Sequence, residues 1–131
     1  MGPETEDGRL QDSGSLASAI SNSVRQLVAE YTGRGPTRAR TSIRDNLVVV
    51  LLEDTLTKGE RRLAAKGREL RVLDYRAEFQ AAMREDAIAK IEELTGRKVA
   101  AFMSANHIDP DLAAELFVLE PDCEAASSDG R

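Results

Sequence analysis

Aromatic side chains are nearly missing from this chain: its 131 residues include two Tyr, three Phe and no Trp. Platforms on which nucleobases or sugars stack have little material to be built from, and a core must rest on Leu, Val, Ile and Ala. Cysteine is as sparse. The single Cys123 sits in a polar stretch near the C-terminus, which excludes an internal disulfide and a zinc site made of thiolates. Long apolar runs are also missing. The longest, Leu47 to Leu52, falls far short of the roughly 20 residues that cross a bilayer, and the polar, acidic start is no secretory signal. Positive charge is not in excess either, since the net charge is -5. That balance disfavours nonspecific binding of DNA or anionic lipid over the whole surface and leaves room for a local basic patch. Together these absences predict a cytoplasmic chain with no direct membrane insertion and with nucleic acid a disfavoured partner.

What is present suits one globular domain. Hydrophobic residues make up 41% and charged residues 31%, too apolar for a wholly disordered chain, and the length is that of a single domain. Residues 1–12 lack an apolar period and read as a disordered leader, residues 13–120 as the domain, and residues 121–131 as a disordered acidic tail. Within the domain, Leu16, Ile20, Val24, Leu27, Val28 and Tyr31 recur at helical spacing. Ser13 or Ser15 is suited to cap that helix, Gly33 to end it, and Pro36 to prevent its resumption.

From Thr37 to Arg44 the side chains alternate, Thr37, Ala39, Thr41 and Ile43 against Arg38, Arg40, Ser42 and Arg44. This is a half-buried strand with a basic outer face. Asp45-Asn46 fits a two-residue hairpin turn, and the returning strand Leu47 to Leu52, apolar throughout, belongs at the centre of a sheet or under cover on both faces. Thr57-Lys58-Gly59-Glu60 matches a capping box. A short helix to about Ala65 follows, then a long one from Arg68 to Thr95 with Val72, Tyr75, Phe79, Met83, Ala87, Ile91 and Leu94 expected on its inner face. Gly96 closes it. Alternation from Lys98 to about Asn106, the turn signal Asp109-Pro110-Asp111 and the apolar stretch Leu112 to Leu119 complete a second hairpin. The order helix, strand, strand, helix, helix, strand, strand predicts an α+β two-layer sandwich, a four-stranded sheet of two hairpins with helices on one face.

No nucleophile with its base and no complete metal shell can be assembled, so no catalytic residue, cofactor or metal is expected. The candidate residues are Arg34, Arg38, Arg40 and Arg44, a basic run suited to a protein partner or an anion. The plainer reading is a solvated, charge-protected strand face. Gly33-Arg34-Gly35-Pro36 follows a helix and opens a strand, the reverse of a phosphate-cradling loop, and reads as a helix cap and turn. His107, the one histidine, is a turn or edge residue and a pH-sensing candidate, because its charge changes near neutrality. The pairs Glu85-Asp86 and Glu92-Glu93 read as solvated helix faces, and Glu53-Asp54 as the end of a strand with magnesium as a lesser alternative.

Several stretches carry a family resemblance: Glu30-Tyr31-Thr32-Gly33-Arg34-Gly35-Pro36, Asp45-Asn46-Leu47-Val48-Val49-Val50-Leu51-Leu52-Glu53, Leu56-Thr57-Lys58-Gly59-Glu60 and Glu93-Leu94-Thr95-Gly96-Arg97-Lys98-Val99. Together they resemble the MpsC family, a component of a sodium-translocating, membrane-potential-generating system, over about Val24 to Leu119. The resemblance implies a small bacterial cytosolic protein associated with a membrane system for ion or inorganic-carbon uptake, and it carries over no catalytic residue. Family members often have a His-Ser-Asp stretch after the third strand, where this chain has Met103-Ser104-Ala105-Asn106-His107. The leading expectation is a non-enzymatic accessory or regulatory domain acting through protein contacts, as a homodimer and with a membrane transport component as partner. The alternatives are a small-anion or nucleotide sensor using Arg34, Arg38 and Arg40, and a DNA-associated regulator.

Overall fold

The computed structural model describes residues 2–121, with side chains from Gly14 onward. The expectation for residues 122–131, Cys123 among them, lies outside the described residues. Three helices and four strands follow in the order α1 (Gly2–Thr32), β1 (Arg38–Arg44), β2 (Leu47–Glu53), α2 (Lys58–Ala65), α3 (Glu69–Thr95), β3 (Val99–His107) and β4 (Leu112–Leu119). The α+β class and the order of elements are those expected from the sequence. Helix α1 starts far ahead of Ser13 and Ser15, so neither serine is its cap, and the backbone read as a leader continues the same helix.

All strand pairs are antiparallel, in the order β1-β2-β4-β3. Polarity explains that order. Strands β2 and β4 are apolar along most of both faces and take the centre, whereas β1 with its arginines and β3 with Ser104, Asn106 and His107 take the edges. Arg44 pairs with Leu47 across the Asp45-Asn46 turn, in which Asp45 holds a positive φ of 54°.

Helices α1 and α3 cover one face of the sheet, α1 over β1 and β2, α3 over β3. Ile20, Val24 and Val28 of α1, Met83, Ala87 and Ile91 of α3, Val48, Val50 and Leu52 of β2, and Ala113, Phe117 and Leu119 of β4 form the core. Each aliphatic side chain fully removed from water there contributes about 1.5–3 kcal/mol before entropy is counted. The α3 stripe differs from the expected one. Its buried positions are Val72, Arg76, Gln80, Met83, Ala87 and Ile91, while Tyr75 is 54% exposed and lies edge-on against Phe79. At this end of α3 the interior is polar. Gln80 and Asn106 exchange hydrogen bonds, Gln80 and Ser104 donate to the buried Glu115 carboxyl, and Arg76 pairs with Glu60 at 3.4 Å.

Two helices end in the same way. In Thr32-Gly33-Arg34 and Thr95-Gly96-Arg97 the threonine hydroxyl donates to the carbonyl four residues back, Val28 or Ile91, and accepts from the arginine N–H. The glycine takes a left-handed φ, 82° at Gly33 and 70° at Gly96, which a side chain would disfavour. Each arginine then reaches a loop at one end of the sheet. Arg34 donates to the carbonyls of Asp54 and Leu56, and Arg97 to those of Asp45 and Glu120. Glu60 completes the expected capping box with Thr57 at the start of α2.

Candidate interaction face

With both long helices on one side, the other side of the sheet has no helix packed over it among the described residues. The strand register lays its outward residues out as four cross-strand rows. These are Arg44-Leu47-Val118-Ala101, Ser42-Val49-Leu116-Met103, Arg40-Leu51-Ala114-Ala105 and Arg38-Glu53-Leu112-His107. The apolar members lie on β2, β4 and β3, and none belongs to the core cluster. Leu47 is 37% and Met103 51% exposed, and the leucines and valines between them are half-buried by their neighbours alone. Its continuity is what makes this aliphatic surface the candidate interaction face. The bulge between Val99 and Ala101 shapes its β3 edge. It turns Val99 inward beside Phe102 while Ala101 joins the outer face, so the simple alternation read over this strand shifts by one residue.

The arginine row closes the face on the β1 side. Arg38, Arg40 and Arg44 stand together on that edge, exposed, as the alternation of β1 requires. Arg38 and Arg40 lie 3.6 and 3.4 Å from the Glu53 carboxylate, while Arg44 has no ion pair among the described residues. Arg34 is not part of the group. It is half-buried at the end of the sheet, its guanidinium engaged by two carbonyls and, at 2.8 Å, by Asp54. His107 ends the Arg38 row, with Nδ1 donating to the Pro110 carbonyl at 2.8 Å.

Four other carboxylates, Asp54, Asp111, Asp86 and Glu92, are tied into the fold. Asp54, at a left-handed φ of 60°, pairs with Arg34 and Arg61. Asp111 accepts from the Thr55 and Leu56 N–H groups and from the Thr55 hydroxyl. These residues border an open groove of about 630 Å³ between α2 and the β3–β4 turn. Among the described residues no group of three or more His, Cys, Asp or Glu is placed to hold a metal ion. Asp86 accepts the Tyr31 hydroxyl at 2.8 Å, which holds that phenol above its usual range, and Glu92 accepts the Val99 N–H at 2.9 Å.

The arginine row was legible from sequence, whereas the breadth of the face was not, because it depends on β4 lying between β2 and β3. The buried Glu115 was missed as well. Its signal was a carboxylate in register with the inward Ala113, Phe117 and Leu119.

Comparison with known proteins adds one finding. The family model described as Na+-translocating membrane potential-generating system (MpsC) matches residues 12–121. No curated protein and no solved structure matches the chain.

Proposed function

Because the chain belongs to the MpsC family, we propose that it is a non-enzymatic accessory subunit of a sodium-translocating, potential-generating system, acting through protein contact at the open sheet face. The observation that carries this reading is the aliphatic surface on β2, β4 and β3, edged by arginines and with no helix packed over it among the described residues. Among the described residues no helix is long and apolar enough to cross a membrane, and the partner this reading proposes is a membrane component of such a system. Asp54 and Asp111, and Arg34 of the three arginines that an anion-sensing reading would use, are instead bonded to one another and to backbone loops. The homodimer expected from the sequence and a transport component are the two candidate occupants of the face.

The test is the sodium-dependent membrane potential, followed with a voltage-sensitive dye in cells lacking the chain. Restoration by the wild-type chain but not by the Leu51→Thr, Leu116→Thr variant is the expected result, with both proteins folded by circular dichroism. Full restoration by that variant overturns the assignment of the face.

A further inference from the structure

We propose that the occupant of the open face is an acidic amphipathic helix of another protein, its apolar ridge on Leu47, Leu51, Leu116 and Met103 and its carboxylates along Arg38, Arg40 and Arg44. This rests on the reading of the face as a contact surface and decides between its occupants.

Charge separates them first. The face is apolar in its middle and basic on one margin, and Glu53, already shared by Arg38 and Arg40, is the one carboxylate in its rows. A second copy packed face to face with its strands aligned about a two-fold axis has two arrangements. With the axis across the strands, β1 lies over its own copy and the arginine rows oppose each other. With the axis along the strands, β1 lies over β3, and the arginines meet Ala101, Met103, Ala105 and His107, none of them acidic. The first alignment sets like charges against each other, and neither supplies a counter-charge to the arginine edge. An acidic flank supplies it in a geometry suited to bidentate pairing.

Size agrees. Four strands at ~4.8 Å spacing and about seven residues at ~3.3 Å give a footprint of about 400 Å². One helix ~10 Å across and three to four turns long, ~16–22 Å, runs most of the length of the strands and covers about half of that footprint, with the arginine edge left to its flank. The whole footprint is about half of the ~800 Å² that each partner contributes to a standard interface. The arrangement is a helix laid on an apolar surface with anchors at helical spacing.

The experiment uses the full chain and two synthetic helical peptides with the same leucine ridge, one flanked by glutamates and one by lysines, read by fluorescence anisotropy at low and high salt. The glutamate peptide is expected to bind about tenfold more tightly than its twin, from three exposed charge pairs, with the difference shrinking as salt rises. R38E/R40E/R44E should abolish or invert the preference. As three reversals beside Glu53 can disturb β1, R44E alone provides the second variant and should cost about two- to fivefold. Leu116→Thr should weaken both peptides. Equal binding of the peptides, a lysine preference, or binding of phosphatidylglycerol vesicles in place of either peptide overturns the proposal and leaves the face as a contact surface. So does a dimer in sedimentation equilibrium that Leu116→Thr dissociates. A monomeric chain that binds none of these probes overturns the reading of the face itself.

Discussion

Arg34 and Arg44 share a residue type and a sequence neighbourhood, yet the fold gives them different work. Arg44 stands exposed on β1 with no ion pair among the described residues, whereas Arg34 spends its donors on the Asp54 and Leu56 carbonyls and the Asp54 carboxylate. Removing Arg34 should therefore reduce stability rather than binding. Hydrogen bonds to a charged group contribute about 1.5–3 kcal/mol each. The side chains of Arg34 and Asp54 are about one-third exposed, and solvent screening brings the expected loss for Arg34→Ala to about 1–2 kcal/mol. Urea unfolding at neutral pH measures it, with peptide affinity unchanged in the folded protein. Unaltered stability with lost binding would return Arg34 to the interaction site. The same contrast accounts for the conspicuous Thr-Gly-Arg stretch of the sequence, which turns the chain from a helix into a strand and fastens the end of the sheet.

At the scale of elements, the inner face of β4 carries a testable charge. Burial pushes the Glu115 carboxyl above its usual range, and hydrogen bonds from Ser104 and Gln80 and the nearby Arg76 offset this only in part. A folded state that holds this proton more tightly than the unfolded chain is favoured at low pH. The advantage is complete below the unfolded value and is lost as pH rises through the folded one. Glu115→Gln has no proton to lose there. Its stability relative to the parent should rise as pH is raised from about 4 to about 7, read as the difference in urea midpoints. A constant offset across that range would mean that Glu115 titrates normally. The same network shows where sequence reading stops. The β1–β2 hairpin, the capping box and the glycine helix ends were legible because each is a local pattern with a local cause. The inner stripe of α3 was misread because a search for apolar side chains selects Tyr75 and Phe79 and passes over Arg76 and Gln80. These two are buried at the i+4 and i+8 positions from Val72 by partners far off in sequence, Glu60, Asn106 and Glu115. Register across the β2–β4 pair is likewise non-local, and it alone assembles the open face.

Over the whole molecule, charge is unevenly divided. The chain carries -5, while the outer face has three arginines against Glu53, a net +2, so the remainder carries -7. A basic margin on an otherwise acidic protein orients an acidic partner before contact, because the long-range field attracts it at one edge and repels it elsewhere. The aliphatic surface acts only once water is expelled, and so governs how long the complex lasts. The two parts of the face should then separate in kinetics. For the glutamate-flanked peptide in stopped-flow fluorescence, Arg44→Glu should slow association and flatten its dependence on ionic strength while leaving dissociation nearly unchanged. Leu116→Thr should speed dissociation at nearly constant association rate and constant salt dependence. The screening length falls from about 30 Å at 0.01 M salt to about 8 Å at 0.15 M, so the association rate of the parent chain should drop over that interval and that of Arg44→Glu much less. Equal salt dependence in the two proteins would mean that the arginine edge plays no part in steering, and that the face selects its partner by shape and apolar surface alone.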